Sequence, residues 1–106
     1  MKLRINKKLV EFELCDTIFK NFRGLMFSPK KNIILVAPKE STMHSSIHSF
    51  FVFYPFNAVF LNKNKEVVDH KRIVPFSLYT PKKPAKYVLE TCEDIRNIDR
   101  KIKWIQ

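Results

Sequence analysis

The chain has 106 residues, of which 45% are hydrophobic, and its 20 Lys and Arg against 10 Asp and Glu give a formal net charge of +10. This length predicts one domain, residues 1–106, with enough buried surface for a hydrophobic core without disulfide or metal support. The composition excludes a low-complexity chain. No apolar run reaches the roughly 18–20 residues that a membrane-spanning helix needs.

Short strands are predicted in the N-terminal third of the chain. Lys2–Ile5 and Leu9–Leu14 alternate polar and apolar residues, which predicts a hairpin with one buried face. Asn32–Ala37 is a continuous apolar run that predicts a buried strand. The polar residues 38–46 that follow it predict a loop.

One helix is predicted between these strands. Asp16 or Thr17 suits its N-cap, because a short polar side chain there accepts a backbone hydrogen bond. Apolar residues follow at helical spacing, and Gly24 is placed to end the helix. We expect this short helix, at about residues 16–26, to cover one face of the central strands.

The stretch 46–62 is the most apolar in the chain and holds five of the ten Phe. Pro55 divides it, because proline cannot donate a hydrogen bond within a sheet. We therefore predict two strands, His48–Tyr54 and Phe56–Asn62. Both are apolar at odd and even positions, so both faces must be covered. This pattern predicts near-complete burial of Phe51 and Phe60.

The C-terminal half continues the β pattern. A short Asn/Lys turn after Asn62 predicts a hairpin into a strand at Glu66–Ile73. Val74–Pro84 contains three prolines and predicts an irregular loop, and further strands are predicted at Tyr87–Thr91 and Lys101–Ile105. The expected fold is mostly β: a small single-domain β-sandwich or barrel-like fold with one short helix.

The positive charge favours an anionic partner such as RNA, although solubility, an AT-rich genome or growth at high temperature also accounts for it. Stacking aromatics beside cations are what RNA or single-stranded nucleic acid requires. The alternative is that the two aromatics of the Val74–Pro84 loop hold it against the core. The candidate nucleic-acid-binding residues are Lys71, Arg72, Phe76, Tyr79, Lys82, Lys83 and Lys86.

A second candidate site involves His44, His48 and Asn57, which could converge if residues 38–46 fold over the core strands. The two histidines are four apart, a spacing that would present both to one metal on a helix. On the predicted loop and strand they lie too far apart for one ion. We therefore predict no metal and no cofactor, and assign no catalytic residue.

Two cysteines, Cys15 and Cys92, are expected to be free thiols. Their spacing fits no metal motif. The polar residues after Met1 are unlike the apolar segment of a secretory signal, so we expect a reducing, cytoplasmic setting.

Three segments together resemble the family called domain of unknown function 192. Arg23–Phe27 resembles its arginine-glycine-leucine-methionine segment after a short helix. Ile47–Asn62 is similar to its signature of isoleucine, histidine and two Phe, then Pro, then Phe-Leu, and Ala85–Glu90 resembles its Val-Leu-Glu strand. The order and spacing match over about residues 10–105.

The resemblance implies a small β-sandwich or barrel-like domain with one short helix, and no reaction, substrate or cofactor. The chain has Val52 where the family has Met, Phe53 where it often has a polar or basic residue, and Asn57 where it has Asp. Thr91-Cys92-Glu93 replaces its proline-alanine-glycine turn. We expect a non-catalytic binding or accessory module. Nucleic-acid binding and a small enzyme site are the alternatives.

Overall fold

A computed structural model describes residues 1–5, 7–15, 25, 30–95, 98 and 100–105, and within them the secondary structure is mainly β. The ten strands of this described part are, in chain order, β1 (Lys2–Ile5), β2 (Lys8–Glu11), β3 (Glu13–Cys15), β4 (Ile33–Ser41), β5 (Ile47–His48), β6 (Phe56–Leu61), β7 (Val67–Ile73), β8 (Leu78–Tyr79), β9 (Ala85–Thr91) and β10 (Lys103–Ile105).

The strands form three sheets. A five-stranded sheet has the order β3-β4-β9-β6-β7, a three-stranded sheet has the order β10-β1-β2, and β5 pairs with β8 in a two-stranded ribbon. Every named pair is antiparallel except β3 and β4. The prediction of a mostly β, sandwich-like fold is confirmed, and the described strands close no barrel.

Strand β6 lies near the middle of the fold, and every residue from Phe56 to Leu61 is buried. It hydrogen-bonds to β9 on one side and β7 on the other. Its side chains alternate between two hydrophobic cores, one on each face of the five-stranded sheet. Phe60 is 0% exposed, as predicted.

The two cores explain why β6 is apolar on both faces. The three-stranded sheet covers one face, and the β5–β8 ribbon with residues 49–54 covers the other. The first core, under the ribbon, comprises Cys15, Leu25, Ile33, Leu35, Ile47, Val52, Phe56, Ala58, Phe60, Ile73, Ala85 and Val88. The second core, under the three-stranded sheet, comprises Leu3, Ile5, Val10, Phe12, Ile34, Val59, Leu61, Leu89, Ile95 and Ile102.

The predicted hairpin between β6 and β7 is present. The Asn62 side-chain oxygen accepts hydrogen bonds from the backbone N–H groups of Asn64 (2.9 Å) and Glu66 (3.0 Å). Lys65 takes the left-handed backbone conformation, with φ of 65°. Lys7, in the turn of the first hairpin, does the same with φ of 67°. Asn62 therefore stabilises the turn through its side chain, while a lysine occupies the left-handed position.

Two strand boundaries differ from the predictions. β4 continues through residues 38–41, which were predicted as loop, and its register to β9 shifts between Val36 and Ser41. Such an irregularity admits Pro38 within a paired strand. The predicted irregular loop Val74–Pro84 contains the two-residue strand β8, which pairs with β5.

The predicted helix at about residues 16–26 lies outside the described residues, apart from Leu25, which is buried in the first core. In the described part of the chain, no helix is long and apolar enough to cross a membrane.

Both cysteines are free in the structure, Cys15 buried and Cys92 exposed. A thiol reagent should therefore find two thiols in denatured protein that has not been reduced. In the native protein Cys92 should react first, because Cys15 becomes accessible only when the fold opens. Finding no free thiol would show a disulfide instead.

Candidate functional site

Three phenylalanine side chains form an exposed aromatic cluster, called here the phenylalanine patch. Phe51 is 45% exposed, Phe53 67% and Phe76 52%. The Phe76 ring contacts the other two edge to face, with ring centroids 5.8 Å from Phe51 and 5.6 Å from Phe53. Contiguous exposed apolar surface of this kind marks interaction sites.

The prediction that Phe51 is nearly buried is wrong. The predicted strand His48–Tyr54 is reduced to β5, and the chain then crosses the surface of the first core as a turn. Val52 points into that core and is 2% exposed, whereas its two phenylalanine neighbours point away from it. Among the described residues, this segment is covered on the side of the first core.

The backbone of the patch is strained at two of its three aromatic residues. Phe51 has φ of 60° and Phe76 has φ of 58°. In this left-handed region a side chain crowds the backbone, at a cost of order 1–3 kcal/mol per residue. Such conformations persist only where the surrounding structure enforces them, and they are concentrated at binding and catalytic sites.

Hydrogen bonds of Ser49 stabilise the backbone at these positions. Ser49 is fully buried, and its hydroxyl donates to the Val74 carbonyl (2.6 Å) and accepts from the Ser77 N–H (2.7 Å). Its carbonyl accepts from the N–H groups of Phe76 (2.9 Å) and Val52 (3.2 Å). One serine therefore ties together the two loops that carry the patch.

Tyr79, a predicted nucleic-acid-binding residue, is held against the core. Its hydroxyl donates to Asp69 Oδ2 (2.6 Å), and its ring centroid lies 5.6 Å from that of Phe60. The bond to Asp69 raises the pKa of Tyr79 to about 12. Burial raises the pKa of Asp69, but hydrogen bonds from Tyr79, Lys82 and His70 outweigh it and leave that pKa below its ordinary value. Tyr79 thus holds its loop in place, while Phe76 does not.

The predicted cations are distributed over several places. Lys71 Nζ lies 6.0 Å from the Tyr79 ring centroid. Lys86 Nζ donates to the Ala37 carbonyl (2.6 Å). Lys82 and Lys83 are exposed in the loop before β9. Arg72 belongs to a different site.

Arg72 lies opposite Asn57 in the β6–β7 pairing. Its Nη1 donates to the Asn57 side-chain oxygen (3.2 Å), and the Asn57 amide donates to the Glu93 carbonyl (2.7 Å). Both residues line a cleft of about 420 Å³, here called the Arg72 cleft. Its remaining lining residues are Cys92, Asp94 and Ile95.

The structure does not bring His44, His48 and Asn57 together. His44 is exposed and lines a small cavity of about 50 Å³ beside Ser45 and Ile47, whereas Asn57 lines the Arg72 cleft. His48 stacks on Phe50, with ring centroids 5.4 Å apart. Within the described residues, no group of three or more His, Cys, Asp or Glu could hold a metal ion.

Glu90 is a buried acid on the face of β9 that lines the first core. It is paired with Ala58 of β6 and Ile33 of β4. It is 2% exposed. Burial raises its pKa to about 8, because the charged carboxylate is poorly solvated in that environment. At neutral pH the folded chain therefore holds this carboxyl mainly in its neutral form.

Sequence reasoning missed Ser49 and the exposure of Phe53. Pro55, two residues after Phe53 and directly before β6, was a usable signal that the residues before it lie outside the sheet. Ser49 carried no such signal, because its partners, Val74 and Ser77, lie on a loop far along the chain.

The family model and the related sequences that match this chain indicate the same family. The family model DUF192 (Uncharacterized ACR, COG1430) matches residues 1–97. The UPF0127 protein of Thermococcus sibiricus is 43% identical over 74% of this chain and 53% of its own length. The UPF0127 protein of Pyrococcus furiosus is 42% identical over 76% of this chain and 71% of its own. The chain therefore spans about half the length of the first of these relatives.

Solved structures share the fold at low sequence identity. A protein of unknown function from Novosphingobium aromaticivorans superimposes with a TM-score of 0.82 at 16% identity, covering 98% of this chain and 84% of that one. A Sinorhizobium meliloti protein, described as a proposed transcription regulator, gives 0.83 at 13% identity, covering 96% and 91%. At these identities the similarity establishes the fold alone.

Proposed function

The chain belongs to the DUF192 family, and we propose that it is a non-catalytic binding module that docks a partner protein through the phenylalanine patch. One observation carries this proposal. Three neighbouring phenylalanine rings are exposed, two of them with strained backbones, on loops that Ser49 joins by hydrogen bonds. We further propose that residues 1–106 form a single domain in the cytoplasm, a location that the free thiols support.

The geometry of the patch suits protein docking. Burying a phenylalanine side chain contributes about 1.5–3 kcal/mol, so three adjacent rings supply the apolar centre that an interface needs. The rings contact one another, and Ser49 fixes the loops beneath them. Because these groups are already ordered, binding sacrifices little conformational entropy.

A photo-crosslinking amino acid at position 53 tests the proposal. We expect benzoylphenylalanine in place of Phe53 to form a discrete protein adduct in cells of the source organism, because that ring is the most exposed in the patch. The matched control carries the same group in place of Leu9, an exposed apolar residue on β2 of the three-stranded sheet.

Two results would contradict the proposal. One is equal crosslinking from positions 53 and 9. The other is an adduct at position 53 that survives the replacement Phe76→Ser, because loss of the ring that contacts both other members should weaken docking. An adduct that nuclease removes would identify nucleic acid as the partner.

Binding of RNA or single-stranded nucleic acid is the second candidate. Residues 70–89 contain no Asp or Glu, and Lys82 and Lys83 are exposed within them. With about 4–5 phosphate contacts, log affinity should fall with log salt at a slope near −3. Replacing Lys82 and Lys83 together by Gln should reduce the magnitude of that slope by about 1–1.5.

Fluorescence anisotropy with a labelled oligonucleotide at several salt concentrations measures this slope. The control replaces Lys2 on β1 and Lys8 on β2 by Gln, which removes the same amount of charge from the three-stranded sheet. A salt slope unchanged by the Lys82–Lys83 replacement, or binding too weak to measure at low salt, would assign this charge to solubility. An enzyme site at His44, His48 and Asn57 gains no support, because the cavities that His44 and Asn57 line are different.

A further inference from the structure

The Arg72 cleft lies on the opposite face of the five-stranded sheet from the phenylalanine patch. Asn57 and Arg72 are paired across β6 and β7, on the face that Val59 and Leu61 direct into the second core. The patch flanks Val52, which belongs to the first core. We infer that the cleft is a separate site, which binds a small organic molecule through a single carboxylate paired with the Arg72 guanidinium.

Asn57 orients Arg72 before any ligand arrives. The Asn57 side chain is 8% exposed, and it donates to the Glu93 carbonyl (2.7 Å). Arg72 Nη1 donates to the Asn57 side-chain oxygen (3.2 Å), which uses one of the five N–H donors of the guanidinium. A guanidinium held in this way matches the two oxygens of a carboxylate through paired, charge-assisted hydrogen bonds.

The positive charge of Arg72 lacks an ion-pair partner among the described residues. None of the three ion pairs in that part of the chain includes it. Glu93 pairs its carboxylate with Lys8 instead, with Nζ and Oε1 3.1 Å apart. Asp94 lines the cleft and has its own interactions within the chain. An anionic ligand therefore supplies the counter-ion that the described residues do not.

The size and the lining of the cleft indicate a small ligand with one negative charge. Its volume of about 420 Å³ is within the range of small-molecule sites, about 300–1,000 Å³. Ile95, which is 8% exposed, adds an apolar element to the lining. The Asp94 carboxylate repels a ligand that carries two or more negative charges. A monocarboxylate therefore fits this cleft better than a phosphate group does.

Cys92 provides a reporter within the cleft. It lines the cleft and is exposed, whereas Cys15 is buried, so alkylation of the native protein should occur first at Cys92. The Cys92 thiolate displaces iodide from the reagent, a carbon–sulfur bond replaces the carbon–iodine bond, and the thiol proton passes to the buffer. Iodoacetate carries the carboxylate that the cleft should bind, and iodoacetamide is its neutral analogue of similar size.

The test compares the rates at which the two reagents alkylate Cys92, followed by mass spectrometry of the native protein. We expect Arg72→Gln to lower the ratio of the iodoacetate rate to the iodoacetamide rate about three- to tenfold, the range of a partly exposed, charge-assisted pair. Arg72→Lys keeps the charge but not the forked donors. It should lower the ratio by a smaller factor, and it serves if the glutamine variant does not fold.

Lys71→Gln is the matched control. It removes the same charge from the neighbouring residue of β7, whose side chain is on the opposite face of the sheet. The ratio should change by no more than about twofold, because solvent and salt screen a charge that does not contact the ligand.

Protection experiments at constant ionic strength separate binding from general attraction. Propionate should slow the alkylation of Cys92 by iodoacetamide, because a ligand on Arg72 occupies the cleft beside the thiol. Propionamide at the same concentration should not slow it, and inorganic phosphate should protect less than propionate. In Arg72→Gln the protection by propionate should be lost.

An unchanged rate ratio in Arg72→Gln, or in Arg72→Lys where the first variant does not fold, would overturn the inference. An equal fall in Lys71→Gln would also overturn it, by showing a general effect of charge. Protection by phosphate that equals or exceeds that by propionate would contradict the carboxylate class. These measurements do not involve the phenylalanine patch, so the docking proposal stands or fails separately, on the crosslinking from position 53.

Discussion

Replacing Phe60 by alanine should lower the free energy of unfolding by about 3–5 kcal/mol, because the change removes a fully buried ring and leaves a cavity. Phe60 is on β6, between β9 and β7, and packs in the first core. Its ring also contacts that of Tyr79, which belongs to β8 of the ribbon. Urea unfolding should show this loss as a lower midpoint.

Phe53→Ala is the matched control. It removes the same ring from a residue that is 67% exposed, so the free energy of unfolding should change by no more than about 0.5–1 kcal/mol. If the two variants shifted the urea midpoint equally, the assignment of Phe60 to the core and of Phe53 to the surface would be wrong.

These two phenylalanines show how far a local sequence pattern predicts burial. Phe60 belongs to a run that is apolar at consecutive positions, and a strand with that pattern must be covered on both faces. The structure supplies both covers, so the prediction for β6 is confirmed. The same reasoning fails at Phe51, because the chain around it is a turn at the surface of the first core that leaves this ring 45% exposed.

The boundaries of β5 and β8 could not be predicted from sequence, because these strands depend on distant partners. Each has two residues, too few to show an alternating pattern. Their pairing joins Ile47 to Tyr79 and His48 to Leu78, which are 32 and 30 residues apart in the chain. Such a contact follows from tertiary packing.

The candidate site was predictable only in part. Phe76 was a candidate binding residue within the predicted loop Val74–Pro84, and the structure exposes it. Tyr79, three residues later, looked similar in sequence but is fixed by Asp69, a partner on β7. Neither Ser49 nor Arg72 shows in sequence what it contacts, because each acts on a residue brought near by the fold. The residue type determines which interactions a side chain can make, and the sheet register determines which partners lie near it.

Glu90 should make the protein less stable as the pH rises from about 4.5 to about 8. Its pKa is raised from the ordinary 4.5 to about 8 by burial, so the folded state keeps a proton that the unfolded chain releases. The stabilisation is complete below the unfolded pKa and is lost as pH rises through the folded pKa. The slope in this window is at most about 1.4 kcal/mol per pH unit.

Glu90→Gln isolates this effect, because glutamine keeps a neutral side chain of the same size at every pH. We expect the variant to gain stability over the parent as the pH increases from about 5 to about 8, measured by urea unfolding at each pH. The depressed pKa of Asp69 acts at lower pH and in the opposite direction, so it does not mimic this trend. If the Glu90→Gln and parent profiles ran parallel, the carboxyl would be ionised in the folded state, and its burial in the first core would require a cationic partner.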